Sequence, residues 1–181
     1  MAGNKGFYHI GIVVENIDES IKYYVDNMGI HFADPAVTEL TISNPTTGKA
    51  ETVSVKVTYS RKSSPYIELI EAVGDSIFSK KNIGGILYYG LWENNITQRI
   101  ESLKNNQVDI EALIAPSGQD TNALITAPNI NGVRVEYVTD TIQGYVKAWT
   151  LTGKVPGQHW LASLLTGVFS LYYFFRNKLF S

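Results

Sequence analysis

A chain of 181 residues that is 44% hydrophobic and 18% charged has the apolar content for one globular domain, or for two small halves sharing a core. Its net charge of -2, with no run of Lys or Arg, gives no electrostatic footprint for nucleic acid. It has no cysteine, which removes disulfides, thiolate metal sites and cysteine nucleophiles.

The first nine residues, MAGNKGFYH, carry no apolar h-region. A cleaved secretory signal is therefore not expected, and a cytoplasmic protein is the default. Phe7 to Val14 reads as a buried strand rich in Ile and Val. Asn16 or Asp18 is placed to cap a following helix, with Ile17, Ile21, Tyr24 and Val25 on one face. Gly29 falls just past its last turn. A looser stretch carries turn signals at Asp34-Pro35, Asn44-Pro45 and Thr47-Gly48. Val53, Val55 and Val57 then alternate with polar residues as in a half-buried strand. After a break at Ser63-Ser64-Pro65, Tyr66 to Val73 reads as a further strand. The expected order of this half is β-α-β-β-β.

Gly74 to Gly85 connects to a second half of the same order. Ile86 to Trp92 reads as a strand, and Asn94 or Asn95 caps a helix running to about Asn106. Strands are expected at Asp109 to Ala115, Asn122 to Thr126 and Val133 to Val138. The two halves match at an offset of 79 residues: Ile17, Ile21 and Asn27 meet Ile96, Ile100 and Asn106, and His9 meets Tyr88. Glu15-Asn16 meets Glu93-Asn94 one residue earlier. Such repetition is the signature of two similar units sharing a core.

Two matching modules, about 6–73 and 85–139, would curl one sheet around a shared cavity in an α+β fold. The residues that stand out are His9 and Glu68 in the first half, with Tyr88 and Glu136 in the second. Both glutamates sit inside apolar strands, IELI and VEYV, where a carboxylate is costly unless paired or bound to a cation. Two imidazoles and two carboxylates commonly hold a divalent ion with open positions. Here a tyrosine stands where the second imidazole would be. A single histidine on such a strand is most often a satisfied core residue. The symmetry of the repeat is what raises His9, Glu68 and Glu136 above that reading.

The segments YHIGIVVENIDESIKYYVDNMGI, IELIEAVGDS and GVRVEYV resemble the vicinal oxygen chelate superfamily, which includes glyoxalase I, methylmalonyl-CoA epimerase, extradiol dioxygenases and bleomycin- or fosfomycin-resistance proteins. The resemblance covers about residues 6 to 140. It implies a domain over 1–140, and a divalent metal held by His9, Glu68 and Glu136 with Tyr88 at the fourth position. Neutral tyrosine, with a phenol pKa near 10, is a weak ligand for the usual divalent ions. The resemblance thus leaves open a three-ligand site and a cavity that has given up its metal. In the glyoxalase and epimerase branches the chemistry is proton removal beside a carbonyl, for which Glu68 or Glu136 is the candidate base. Glu51 is a second candidate. Tyr59, Tyr66, Tyr89 and Trp92 are candidate pocket residues, and His31 a candidate for the cavity mouth.

Residues 141–181 form an extension. Tyr145 to Lys154 reads as a short element. Trp160 to Phe175 is almost wholly apolar, and as a helix it would span roughly 24 Å, short of the ~30 Å hydrocarbon layer. Trp160 at one end, with Tyr172, Tyr173, Arg176 and Lys178 at the other, imitates interfacial anchoring. The expected alternatives are membrane contact through 160–175, packing on the domain, or a homodimer interface. The function expected first is a metal-assisted lyase or isomerase acting on a small carbonyl-containing metabolite. A metal-free binding protein for a drug or metabolite and a metal-free biosynthetic cyclase or isomerase are the rivals.

Overall fold

The computed structural model describes residues 6–62 and 64–179, with side chains as far as Arg176. The readings that rest on Met1 to Lys5, on Ser63 and on Lys178 lie outside the described residues. The first module runs β1 (Phe7–Val14), α1 (Ile17–Met28), β2 (Ala36–Ser43), β3 (Ala50–Tyr59) and β4 (Tyr66–Glu71). The second runs β5 (Tyr88–Glu93), α2 (Ile96–Asn105), β6 (Ile110–Pro116), β7 (Ala123–Thr126) and β8 (Val135–Thr139). Two helices follow, α3 (Gln143–Thr152) and α4 (Trp160–Leu179).

Local chemistry sets these boundaries. The Asn16 side chain accepts from the backbone N–H groups of Asp18 and Glu19 at 3.0 and 3.1 Å, so it and not Asp18 is the cap. Glu71 of β4 accepts from Ile17 N at 3.0 Å, which ties the start of α1 to the sheet. Gly29 ends the helix with φ of 65°, a conformation that costs a glycine little. In α2 the cap is Asn95, whose side chain accepts from Gln98 N at 2.9 Å. Asn16 and Asn95 stand 79 residues apart, so the caps keep the repeat's offset and the one-residue shift seen for Glu-Asn is not structural. Asn16→Ala should cost about 1 kcal/mol, read from the urea midpoint. No shift would mean that Glu71 alone holds the first turn.

The eight strands close into a barrel in the order β1-β4-β3-β2-β6-β7-β8-β5. β1 pairs with β4, and β5 with β8, in parallel. The modules join through the antiparallel seams β1/β5 and β2/β6. β2 lies in the stretch that the sequence marks only by its flanking turns. It pairs along its whole length with β3, and Ala36 and Ile42 are its buried contributions to the core. The register of the β1/β5 seam displays the pseudo-two-fold directly. His9 faces Gly90 and Gly11 faces Tyr88, and exchanging each residue for its counterpart 79 positions away turns one pair into the other.

The main core lines the inside of the barrel. A smaller cluster of Ile96, Leu103, Ile110 and Leu124 seats α2. Buried Glu93 fixes the β5–α2 corner: it accepts from Asn94 N at 2.8 Å and from Arg99 Nε at 2.6 Å. α3 lies over the barrel. Its end is tied to the loop after α1 by Trp149 Nε1 donating to Asp34 O at 2.9 Å, and by Asp34 N donating to Gly153 O at 2.9 Å. α4 packs on α3 and turns Leu164, Val168, Leu171 and Phe175 outward, each more than half exposed. Among the described residues no helix is long and apolar enough to cross a membrane.

Candidate metal centre and cavity

His9 is fully buried, and its Nε2 lies 2.8 Å from Glu68 Oε2 and 3.0 Å from Glu136 Oε2. The register explains the convergence. Gly11 pairs with Glu68 across β1/β4, and Gly90 with Glu136 across β5/β8, so each glutamate stands beside a glycine on the seam. Those glycines make the room. A Cβ on Gly90 would overlap the imidazole of His9, and a Cβ on Gly11 would overlap the ring of Tyr88. Tyr88 Oη donates to Glu68 Oε2 at 2.8 Å.

The electrostatics of the group follow from burial and from its own charges. Burial lowers the pKa of His9, but the carboxylates of Glu68 and Glu136 raise it further, to about 9. Without an ion the ring is therefore an imidazolium at neutral pH. Burial works to raise Glu68, yet the His9 charge in close contact with it and the hydroxyls of Tyr59 and Tyr88 hold it below the usual carboxylate value. Glu136 is raised, first by burial and also by the charge of Glu68. Tyr8, Tyr59 and Tyr88 are all pushed well above the ordinary phenol value, chiefly by burial and then by the glutamates. They are neutral donors.

The donor set fits a divalent ion. One imidazole nitrogen and two carboxylate oxygens lie within 4.8 Å of one another, all buried. Neither ring nitrogen of His9 makes an aligned hydrogen bond. The short contacts at Nε2 are thus those of atoms converging on a point, with a ligand lone pair aimed at it once the ring is neutral.

Above this group is a cavity of about 340 Å³, walled by aliphatic side chains of β2, β3 and β6, with Glu68, Glu136, Tyr88 and Tyr59 among the lining residues. α3 supplies Tyr145, Val146 and Trp149 to its wall. The other expected residues are placed elsewhere. Tyr66 and Trp92 flank a smaller cavity of about 200 Å³. Tyr89 sits beside Phe7 at a ring distance of 5.7 Å and is 38% exposed, because strand alternation turns it away from Tyr88. Glu51 accepts from Asp75 N and Ser76 N at 3.1 and 2.9 Å and lines a separate polar pocket of about 850 Å³. The Ser76 side chain, and then the backbone N–H groups of Asp75 and Ser76, hold the Glu51 carboxyl below the usual value. His31 is exposed, and its carbonyl accepts from Arg61 N at 2.8 Å.

Three contributions are new. Gly11 and Gly90 are visible in the sequence as a matched pair at offset 79. Tyr8 is brought inside by a bulge, for the β1/β5 register shifts between Phe7 and His9 and lets two successive side chains face inward. Trp149 and its neighbours on α3 come from outside both modules, where the repeat carries no information.

Comparison with known proteins decides the family. The model of the glyoxalase/bleomycin resistance protein/dioxygenase superfamily matches residues 8–125, well over half of the chain. The chain belongs to this superfamily. Among solved structures, the fold is similar to methylmalonyl-CoA epimerase from Mycobacterium tuberculosis, with a TM-score of 0.54 at 19% identity, covering 77% of this chain and 90% of that one. It is also similar to a variant of the Streptomyces coelicolor methylmalonyl-CoA epimerase in complex with 2-nitronate-propionyl-CoA, with a TM-score of 0.53 at 19% identity, covering 76% and 95%. At these identities the likeness is one of fold. No curated protein matches the chain by sequence. For a superfamily member, the departure is Tyr88, whose hydroxyl is engaged with Glu68 at the position where the resemblance implies a second imidazole.

Proposed function

We propose that this member of the superfamily is a metal-assisted isomerase or lyase that removes a proton beside the carbonyl of a small metabolite. The observation that carries the reading is the convergence of buried His9, Glu68 and Glu136 at one end of an apolar cavity. A divalent ion held by these three side chains would act as a Lewis acid, polarising a carbonyl oxygen and making the adjacent C–H more acidic.

The protein's own groups divide the remaining work. Glu68, ionised and fixed by the Tyr88 hydroxyl, is assigned as a permanent ligand. Glu136, which lines the cavity and lies 3.0 Å from His9 Nε2, is assigned to accept the proton and return it. The neutral phenols of Tyr59 and Tyr88 present donors to Glu68. α3 walls one side of the cavity with Tyr145, Val146 and Trp149, which narrows the access of bulk solvent to the reacting end.

The experiment is wash-out of α-protons from a panel of small ketones and 2-oxo compounds in D2O, followed by NMR on metal-loaded protein. The wild type should exchange at least one panel member, and Glu136→Gln should be slower by roughly a hundredfold or more while melting cooperatively. Equal exchange in both proteins would remove Glu136 from the role.

A second reading is favoured by Tyr88. With His9 as the imidazolium, the group is partly charge-compensated without any ion, as a metal-free binding protein or cyclase requires. Ligand affinity or turnover that ignores chelators would select it. The exposed apolar face of α4, with Leu164, Val168, Leu171 and Phe175, supports contact with a second copy of the chain or with a membrane surface.

A further inference from the structure

Tyr8 is 3% exposed and lines the cavity together with Glu68, Tyr88 and Glu136, yet its hydroxyl makes no aligned hydrogen bond, although the Tyr59 side chain lies near enough to favour its charged form. Leaving a buried donor unpaired costs about 1–3 kcal/mol, and a phenylalanine would fill the same space without that cost. The ring is also held in one orientation. It stacks on Trp92 at a centroid distance of 3.7 Å and 12° between planes, and its other neighbour is His9 at 3.9 Å. The bulge in β1 is what places it there. A rigid, buried and unsatisfied donor beside the metal-ligand group is arranged for an acceptor that arrives with a ligand.

The walls describe the rest of that ligand. The charged residues among those lining the cavity are Glu68 and Glu136, both at the metal-ligand end, and the described lining includes no Lys or Arg. A phosphate, a carboxylate or the nucleotide of an acyl-CoA placed deeper in the cavity would be a buried anion without a partner. A volume of about 340 Å³ is at the small end of the range for ligand sites.

We propose that the cavity takes a small, uncharged carbonyl compound with an apolar body, and that Tyr8 donates its hydrogen bond to the carbonyl oxygen. The proposal rests on reading the site as one for carbonyl compounds, and the test separates the two.

Acetophenone and α-methylstyrene have the same shape and differ in C=O against C=CH2. Their affinities are measured by NMR titration of the chelator-treated full chain and of the metal-loaded protein, in wild type and Tyr8→Phe. Chelator-treated wild type should prefer acetophenone by about fivefold to tenfold, and Tyr8→Phe should lose that preference while binding α-methylstyrene as before. The unchanged hydrocarbon affinity is the control for an intact cavity. 4-Acetylbenzoate should bind at least about tenfold more weakly than 4-methylacetophenone to the chelator-treated protein. Equal affinity for the first pair, a ketone preference that survives in Tyr8→Phe, equal affinity for the second pair, or no binding of any probe would overturn the proposal. A Tyr8-dependent preference in a protein that takes no metal and exchanges no α-proton would uphold it and remove the metal-assisted reading instead.

Discussion

Gly90→Ala should abolish useful metal affinity and destabilise the protein by about 1–3 kcal/mol. The added methyl would occupy the space of the His9 imidazole, which lies directly across the β1/β5 seam. The ring has nowhere to retreat. Tyr8 packs against it at 3.9 Å, and Tyr59 and Tyr88 meet it edge-on at 5.8 and 5.6 Å. Either the strands separate or the ring leaves the two carboxylates, and the second outcome strands two buried negative charges. Isothermal titration with Mn²⁺, Co²⁺ or Zn²⁺ should show affinity weakened by roughly a hundredfold or more, beside the lowered urea midpoint. Gly11→Ala is the symmetric comparison. Its methyl meets Tyr88, so it should cost similar stability but weaken metal binding less. Native metal affinity in Gly90→Ala would mean that the imidazole is not the ligand.

The second large effect is on pH dependence, and it has opposite signs with and without metal. In the ion-free protein the pKa of His9 is raised from 6.5 to about 9. A raised histidine contributes stability that is fully present below its unfolded value and is lost as pH rises through the folded one. Ion-free protein should therefore lose up to roughly 3 kcal/mol between pH 6.5 and about 9. Glu136, being raised, works in the same direction, because folding disfavours its ionised form. Glu68, being lowered, contributes stability that is lost only toward acid pH. A bound ion requires the neutral imidazole, so metal competes with the His9 proton and its affinity should rise with pH over the same window, by up to about tenfold per pH unit. Thermal melts from pH 6.5 to 9.5, with chelator and with metal, measure both. A flat ion-free profile would separate His9 from its two carboxylates.

The parts of this arrangement that the sequence displays are those that repeat or carry a costly residue. The offset of 79 residues pairs His9 with Tyr88 and anticipates the seam register. Glu68 and Glu136 stand out because a carboxylate in IELI or VEYV needs a partner, and the partner is His9. The hidden parts depend on tertiary context. A bulge that turns Tyr8 inward leaves no compositional trace, since a tyrosine on a strand is ordinary. β2 is concealed because its apolar and polar residues alternate weakly between two turn signals. Glu51 looks like a site residue from its charge and its strand, but two backbone N–H groups on the loop after β4 claim its carboxylate. Trp149 could not be foreseen, for α3 belongs to neither repeat and is held over the cavity by tertiary contacts such as those of Trp149 and Gly153 with Asp34.

The most direct test is the metal content of protein purified without an affinity tag and then loaded with divalent ions, with Tyr88→His measured alongside. The account predicts about one ion per chain in the wild type, a raised melting temperature on loading, and tighter binding in Tyr88→His as a second imidazole joins the group. A wild type that stays empty and whose melting temperature ignores every ion would contradict it.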